Sequence, residues 1–202
     1  MHPNPSFAWN DRAEMLRFVA ERAFAHVFTA SDAGLFVVHV PVLVTDRGRV
    51  WFHVARRNRI AEQIKGRQVL FSVTGREAYQ SANWYVSDNQ VPTWHYEAVE
   101  IEGPARQLSD GDLVELLDGL SDVHERRVCP ERPWTRSKMA PGKFEAMTRA
   151  IVGFEVDPAE IRGTRKFNQH KPALDVDATV AGQRGAGRED ILRAIAELTD
   201  RQ

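Results

Sequence analysis

Arg56, Arg57, Asn58 and Arg59 form a dense group of anion-binding side chains. They follow the Val- and Phe-rich run RVWFHV (49–54) and lie within ARRNRIAEQIKG (55–66), which reads as a short helix ended by Gly66. Free backbone N–H groups at a helix start favour an anion, and arginine grips a phosphate with two parallel donors. A phosphate cradle and a solvated basic turn both fit this composition.

A second group lies in SANWYVSDNQVPTWHY (81–96). Tyr79, Trp84, Tyr85, Trp94 and Tyr96 could stack on a planar ring system, and Asn83, Asn89 and His95 could bond its edge. Aromatic residues also gather in cores and subunit interfaces. The mixture of Trp, Tyr and amides favours a site at an interface. A single strand of nucleic acid would also stack on such residues.

Other chemistries find less support. His39, His53 and His95 fall on strand-like segments, but there is no HExxH and no Cys-x-x-Cys, so no metal site is expected. Cys129, the single cysteine, sits in RRVCPERP with His124 five residues upstream. That spacing is weak support for a thiol dyad. No G-x-S-x-G elbow and no Gly-rich dinucleotide fingerprint occurs. No catalytic residue is identified.

The elements that must position these groups alternate in texture. NDRAEMLRFVAERA (10–23) reads as a helix, with Asp11 and Glu14 at capping-box spacing. AHVFTA (25–30), LFVVHVPVLV (35–44), RVWFHV and QVLFSV (68–73) read as strands, the first three separated by the turns SDAG and TDRG. A further strand region covers about 91–107, broken at Gly103-Pro104. SDGDLVELLDGLSDVHE places Leu113, Leu116, Leu117, Leu120 and Val123 on one helical face behind Ser109 as N-cap. After a Pro-, Arg- and Trp-rich loop (127–143), GKFEAMTRA reads as a short helix and IVGFEVD as a returning strand. RGTRKFNQHKPALD reads as basic and irregular. REDILRAIAELT closes the chain as an amphipathic helix. The pattern predicts an α+β protein on an antiparallel barrel or curled sheet.

Length and composition set the outer bounds. With 202 residues, 43% hydrophobic and 27% charged, the chain suits one large globular domain. There is no run of 18 apolar residues, so no membrane span is expected, and MHPNPSFAWNDRAEM does not read as a signal peptide. One cysteine and no export signal point to the cytoplasm. A net charge of −1 leaves DNA binding only to a local basic patch, and no helix-turn-helix is recognisable.

HVARRN (53–58), AYQSANWY (78–85), VPTWHY (91–96), AIVGFEV (150–156) and RKFNQHKPALD (165–175) occur in this order, with HVP at 39–41 and LSDVHE at 120–125. Together they resemble the PaiB family of FMN-binding negative transcriptional regulators, from about Phe7 to Gln183. The resemblance implies a single antiparallel split β-barrel domain over residues 1–202 with flanking helices and a helical tail at about 186–202. It implies FMN as cofactor and a homodimer with a flavin site at each end of the subunit interface. By position, His53, Val54, Ala55, Arg56 and Asn58 would supply the phosphate end, with Arg56 the first choice for direct contact. Trp84 and Tyr85 would wall the ring, Thr93 and Trp94 would meet the flavin, and Lys166 and Gln169 would lie near the ring or ribityl chain. The chain departs from the family pattern at His95 (usually Asn), in QSANWY, which lacks a Pro, and at Asn168 and His170 (usually Ser and Asn). The function implied is a dimeric flavin sensor that regulates transcription; the alternative is a flavin-dependent oxidoreductase using a nicotinamide cofactor on a small substrate.

Overall fold

The computed structural model describes residues 1–199. Its elements run β1 (Ala8–Trp9), α1 (Arg12–Arg22), β2 (Phe24–Ser31), β3 (Gly34–Val44), β4 (Val50–Ala55), α2 (Ala61–Ile64), β5 (Gln68–Gln80), β6 (Thr93–Gln107), α3 (Asp110–Val128), α4 (Lys143–Thr148), β7 (Ile151–Val156), β8 (Glu160–Lys166), α5 (Ala173–Gly185) and α6 (Glu189–Thr199). The strands neighbour one another in the order β1-β8-β6-β5-β2-β3-β4-β7. Because β6 also pairs with β7, six of them close a ring, which removes the exposed edges that an open sheet would leave. The chain divides into two compact units. The larger comprises Arg12–Val73 and Glu100–Ile161; the smaller comprises the residues up to Asp11, Thr74–Val99, and the residues from Arg162 onward.

In the larger unit the β2–β3 hairpin pairs from Phe24↔Pro41 to Ser31↔Gly34. Its SDAG turn and the following TDRG turn end in Gly34 (φ +113°) and Gly48 (φ +73°), backbone conformations that glycine adopts without a Cβ penalty. Strand alternation sends Ala25, Val27 and Thr29 inward. Phe52 on β4 stacks on Phe154 of β7 at 5.6 Å between centroids and meets the edge of Phe71 on β5 at 5.3 Å. Ser109 is the N-cap of α3, as the sequence predicts, and forms a reciprocal capping box with Asp112. That helix buries Leu113, Leu116 and Leu120 against Leu43, Trp51 and Ile151, each leucine contributing about 2 kcal/mol by transfer from water.

The smaller unit holds a separate apolar cluster. Phe167 and Ala78 pack with Ile191, Ala194 and Ile195; of the stripe Ile191, Leu192, Ile195 and Leu198 that the sequence predicts on the last helix, Ile191, Ile195 and Leu198 join this cluster. The tail expected at 186–202 contains α6; its last three residues lie outside the described ones.

Three expectations need revision. The strand region near 91–107 is not broken at Gly103-Pro104: β6 runs through it, with Pro104 exposed and Gly103 buried. A Cβ at Gly103 would lie 2.6 Å from the Asp157 carbonyl oxygen, so glycine here serves close packing rather than a break. The helix after β4 is a single turn, because Asn58 closes a tight turn first: its N–H donates to the Ala55 carbonyl and its Oδ1 accepts from the Ile60 N–H at 3.1 Å. RGTRKFNQHKPALD is irregular only at 167–172. It contributes the end of β8 and the start of α5. The helix escapes an apolar-periodicity reading because its buried stripe is polar: Asp175, Thr179 and Gln183, spaced by four.

Candidate functional site

Residues 53–58 lie in the larger unit. Pairing of β4 with β7 sets His53 opposite Gly153 and Ala55 opposite Ile151. Val54 is buried and Ala55 exposed. His53 is half-buried; its Nδ1 is sealed from solvent without a hydrogen-bond partner, and burial lowers its pKa. Arg56 donates from Nε to the Arg149 carbonyl (3.2 Å) and from Nη2 to the Ile151 carbonyl (2.8 Å), so it clamps the start of β7. Asn58 is engaged in its own turn. Arg57 and Arg59 are exposed, and the Arg59 guanidinium lies over the Phe36 ring at 5.1 Å. The backbone N–H groups of Arg56, Asn58 and Ala61 already donate to the carbonyls of Ala150, Ala55 and Asn58.

Trp84, Tyr85, Thr93, Trp94, Lys166 and Gln169 lie in the smaller unit. Thr93 and Lys166 meet directly: Lys166 Nζ donates to Thr93 Oγ1 at 2.7 Å. Burial lowers the Lys166 pKa, and among the described residues no carboxylate pairs with it. Its ammonium also sits 5.7 Å from the Phe7 ring centroid. Tyr85 donates its hydroxyl to Asn168 Oδ1 (3.0 Å), and Asn168 Nδ2 reaches Thr179 Oγ1 (3.3 Å). Burial is the main reason the Tyr85 pKa is raised; the Asn168 bond opposes it. Trp84 packs on α5 at Gly182, where a Cβ would come within 2.4 Å of the indole.

The pleat of β6 sends Thr93 and Trp94 to opposite faces. Trp94 stands out to solvent with Tyr79 in an edge-on pair at 6.2 Å. Gln169 is committed to the backbone: its amide nitrogen donates to the Ser6 and Arg165 carbonyls and its Oε1 accepts from the Phe167 N–H. His170 is exposed and edges onto Phe7 at 4.8 Å. His95 is fully buried with neither ring nitrogen in hydrogen-bond geometry. Burial brings its pKa to about 4, only partly offset by the Asn168 side chain.

The aromatic stretch thus splits into an inward set and an outward set. Asp175 holds it in place by accepting from the N–H groups of Val86 and Ser87 and from the Ser87 hydroxyl at 2.8–3.0 Å. Sequence reasoning missed Asp175, Thr179 and Phe7. The four-residue spacing of Asp175, Thr179 and Gln183 was the available signal. The Lys166 ammonium, held by a neutral hydroxyl and an aromatic face, has the chemistry to receive an anionic ligand such as FMN.

The comparisons agree with the motifs. The family described as "Putative FMN-binding domain" matches residues 1–160. That span includes His53–Asn58 and Trp84–Trp94 and stops before Lys166. The chain is 29% identical over 175 residues to the "Protease synthase and sporulation protein PAI 2" of Bacillus subtilis (strain 168), covering 84% of this chain and 82% of that protein. Among solved structures it is similar to a conserved hypothetical protein of Mycobacterium tuberculosis (TM-score 0.60, 14% identity, 86% of this chain and 96% of that one). It is also similar to the FAD and heme binding protein of Mycobacterium smegmatis (TM-score 0.57, 13% identity, 87% and 80%). These distant likenesses establish the fold, an antiparallel α+β split barrel with flanking helices. With the profile match spanning most of its length, the chain belongs to the FMN-binding domain family, whose cofactor is FMN.

Proposed function

We propose that this protein is a dimeric, cytoplasmic FMN-binding sensor of the PaiB kind that represses transcription, acting through a protein partner rather than its own DNA contacts. Membership of the FMN-binding family over residues 1–160 carries the flavin half of this reading. The likeness to PAI 2 supports the regulatory half, and the net charge of −1 favours a partner over direct DNA contact.

FMN supplies reversible electron transfer when bound. Lys166 is assigned to an anionic or electron-rich part of the cofactor, oriented by Thr93. Trp84 and Tyr85 act through the loop they hold, and Gln169 by fixing the 165–169 backbone. His53, Val54, Ala55 and Asn58 keep the phosphate-end assignment that the resemblance gives them. Arg56 reaches a phosphate there only by releasing a backbone carbonyl or through its remaining nitrogen. Trp94, exposed beside Tyr79, suits a ring wall or a subunit contact.

The dimer reading draws on one face of the β2–β3 hairpin. Phe24, Phe28, Leu35 and Val37 stand exposed there, Leu35 at 87%, around an edge-on His26–His39 pair.

The test is the visible spectrum of the purified protein, desalted after addition of FMN. A retained flavin band, weakened at least tenfold in affinity by Lys166→Met, is the expected result. A folded protein that retains no flavin refutes the cofactor assignment. A sequence-specific mobility shift of DNA at moderate salt would overturn the partner-mediated mechanism, and rapid bleaching of bound flavin by NADH or NADPH would favour an oxidoreductase.

A further inference from the structure

A cavity of about 520 Å³ lies in the larger unit, walled by α3, α4 and strand residues that include His53 and Ile151. That volume is within the roughly 300–1,000 Å³ range of small-molecule sites. Leu117, Trp134, Met139, Phe144 and Met147 make its surface largely apolar. No Lys or Arg lines it, and its one carboxylate, Asp118, already pairs with Arg136 at 3.4 Å. Ser121 donates its hydroxyl to the Leu117 carbonyl at 2.8 Å. A phosphate-bearing ligand therefore finds no lysine or arginine on this wall.

Two imidazoles interrupt the apolar lining, His124 on α3 and, on β4, His53. Its Nδ1 is sealed without a partner, whereas Nε2 is not sealed in this way and the ring forms part of the wall. The sealed Nδ1 is out of a ligand's reach, so Nε2, which no hydrogen bond engages among the described residues, is the atom that a ligand in the cavity can bond. Burial keeps the imidazole neutral at pH 7.

We propose that this cavity binds an uncharged aromatic molecule carrying a hydroxyl group, packed against Trp134 and Phe144 and hydrogen-bonded to His53. Aromatic side chains and methionine sulfur favour a planar, polarisable guest over a branched aliphatic one. The neutral imidazole offers either a donor or an acceptor to a hydroxyl, which supplies both. This site shares His53 with the phosphate-end assignment above and no other residue of it.

The uncharged dye N-phenyl-1-naphthylamine, whose fluorescence rises in apolar surroundings, tests it on the full chain. The expected result is saturable uptake of one dye per chain. 1-Naphthol should displace it at a concentration about three- to tenfold lower than naphthalene does, the worth of one hydrogen bond. His53→Phe should erase that ratio while the dye still binds. Met147→Trp changes a half-exposed lining residue and should fold; it should weaken dye binding at least tenfold and leave FMN retention unchanged. Leu117→Trp fills the cavity from the helix side and should act alike. Non-saturable uptake, equal displacement by the two naphthalenes, or unchanged binding in both filled variants overturns the proposal.

Discussion

His95 occupies the position where the related pattern carries Asn, and its environment turns that substitution into a pH dependence. The folded imidazole titrates near 4, against 6.5 for the free side chain. Above pH 6.5 both folded and unfolded chains hold it neutral, and the fold keeps its full stability. Between pH 6.5 and 4 the unfolded chain takes up the proton first, so stability falls with pH by on the order of 3 kcal/mol. His53 and His170, also lowered by burial, add to the same slope. Urea unfolding at pH 7.5 and pH 5 should show a marked loss for the parent and a smaller loss for His95→Asn. An equal or larger loss in the variant would refute the assignment. The sequence placed His95 within a candidate site. Only the packing of Phe167 against its ring (5.7 Å) and its complete burial showed that it faces inward rather than toward a ligand.

At the scale of elements, α6 is tied to the strands by charge as well as by its apolar stripe. Arg76 on β5 bonds Glu97 of β6 at 2.9 Å and Glu197 of α6 at 2.7 Å, while Arg165 approaches Glu97 at 3.6 Å. Glu97 is almost fully buried, and Glu197 is half-exposed. Removing Arg76 leaves the buried carboxylate only the longer contact with Arg165, so Arg76→Leu should cost about 3 kcal/mol in chemical denaturation. Glu197→Gln removes only the solvent-screened bond and should cost about 1 kcal/mol or less. Similar losses in both would show that Glu97 is not the controlling charge. Gly182 poses an opposite question of sign. Alanine at an exposed helical glycine gains up to about 1 kcal/mol, but here the new methyl would meet the Trp84 indole. Gly182→Ala should therefore lower stability by about 1–3 kcal/mol; a gain would mean that Trp84 yields freely.

For the whole molecule, the consequential surface is the exposed face of the β2–β3 hairpin. Phe28 pairs across to Val37, and His26 to His39, so these side chains form one continuous patch. If that patch is the dimer contact, Phe28→Glu places a charge in it and should convert the protein to a monomer in light scattering, with its circular dichroism unchanged. A dimer that persists would locate the contact elsewhere. Among the described residues no helix is long and apolar enough to cross a membrane.

The sequence by itself determined the strands of the barrel, the capped α3 and the apolar stripe of α6, because these elements carry their burial pattern locally, at periods of two and 3.6. Its ordered short motifs also carried the family and so the cofactor. It did not determine α5, whose buried face is polar and becomes readable only when Asn168, Gln80 and the loop at 86–87 supply the partners of Thr179, Gln183 and Asp175. Nor did it determine which candidate side chains remain free for a ligand. Arg56 and Gln169 look like ligand-binding residues by type, but the remote carbonyls of Arg149, Ile151 and Ser6 engage them first, whereas Asn58 spends its side chain on its own local turn. Lys166 stays available because the fold sets a neutral hydroxyl and an aromatic ring, rather than a carboxylate, beside it. Hydrogen-bond partners drawn from distant parts of the chain are a property of tertiary packing, and no local periodicity encodes them.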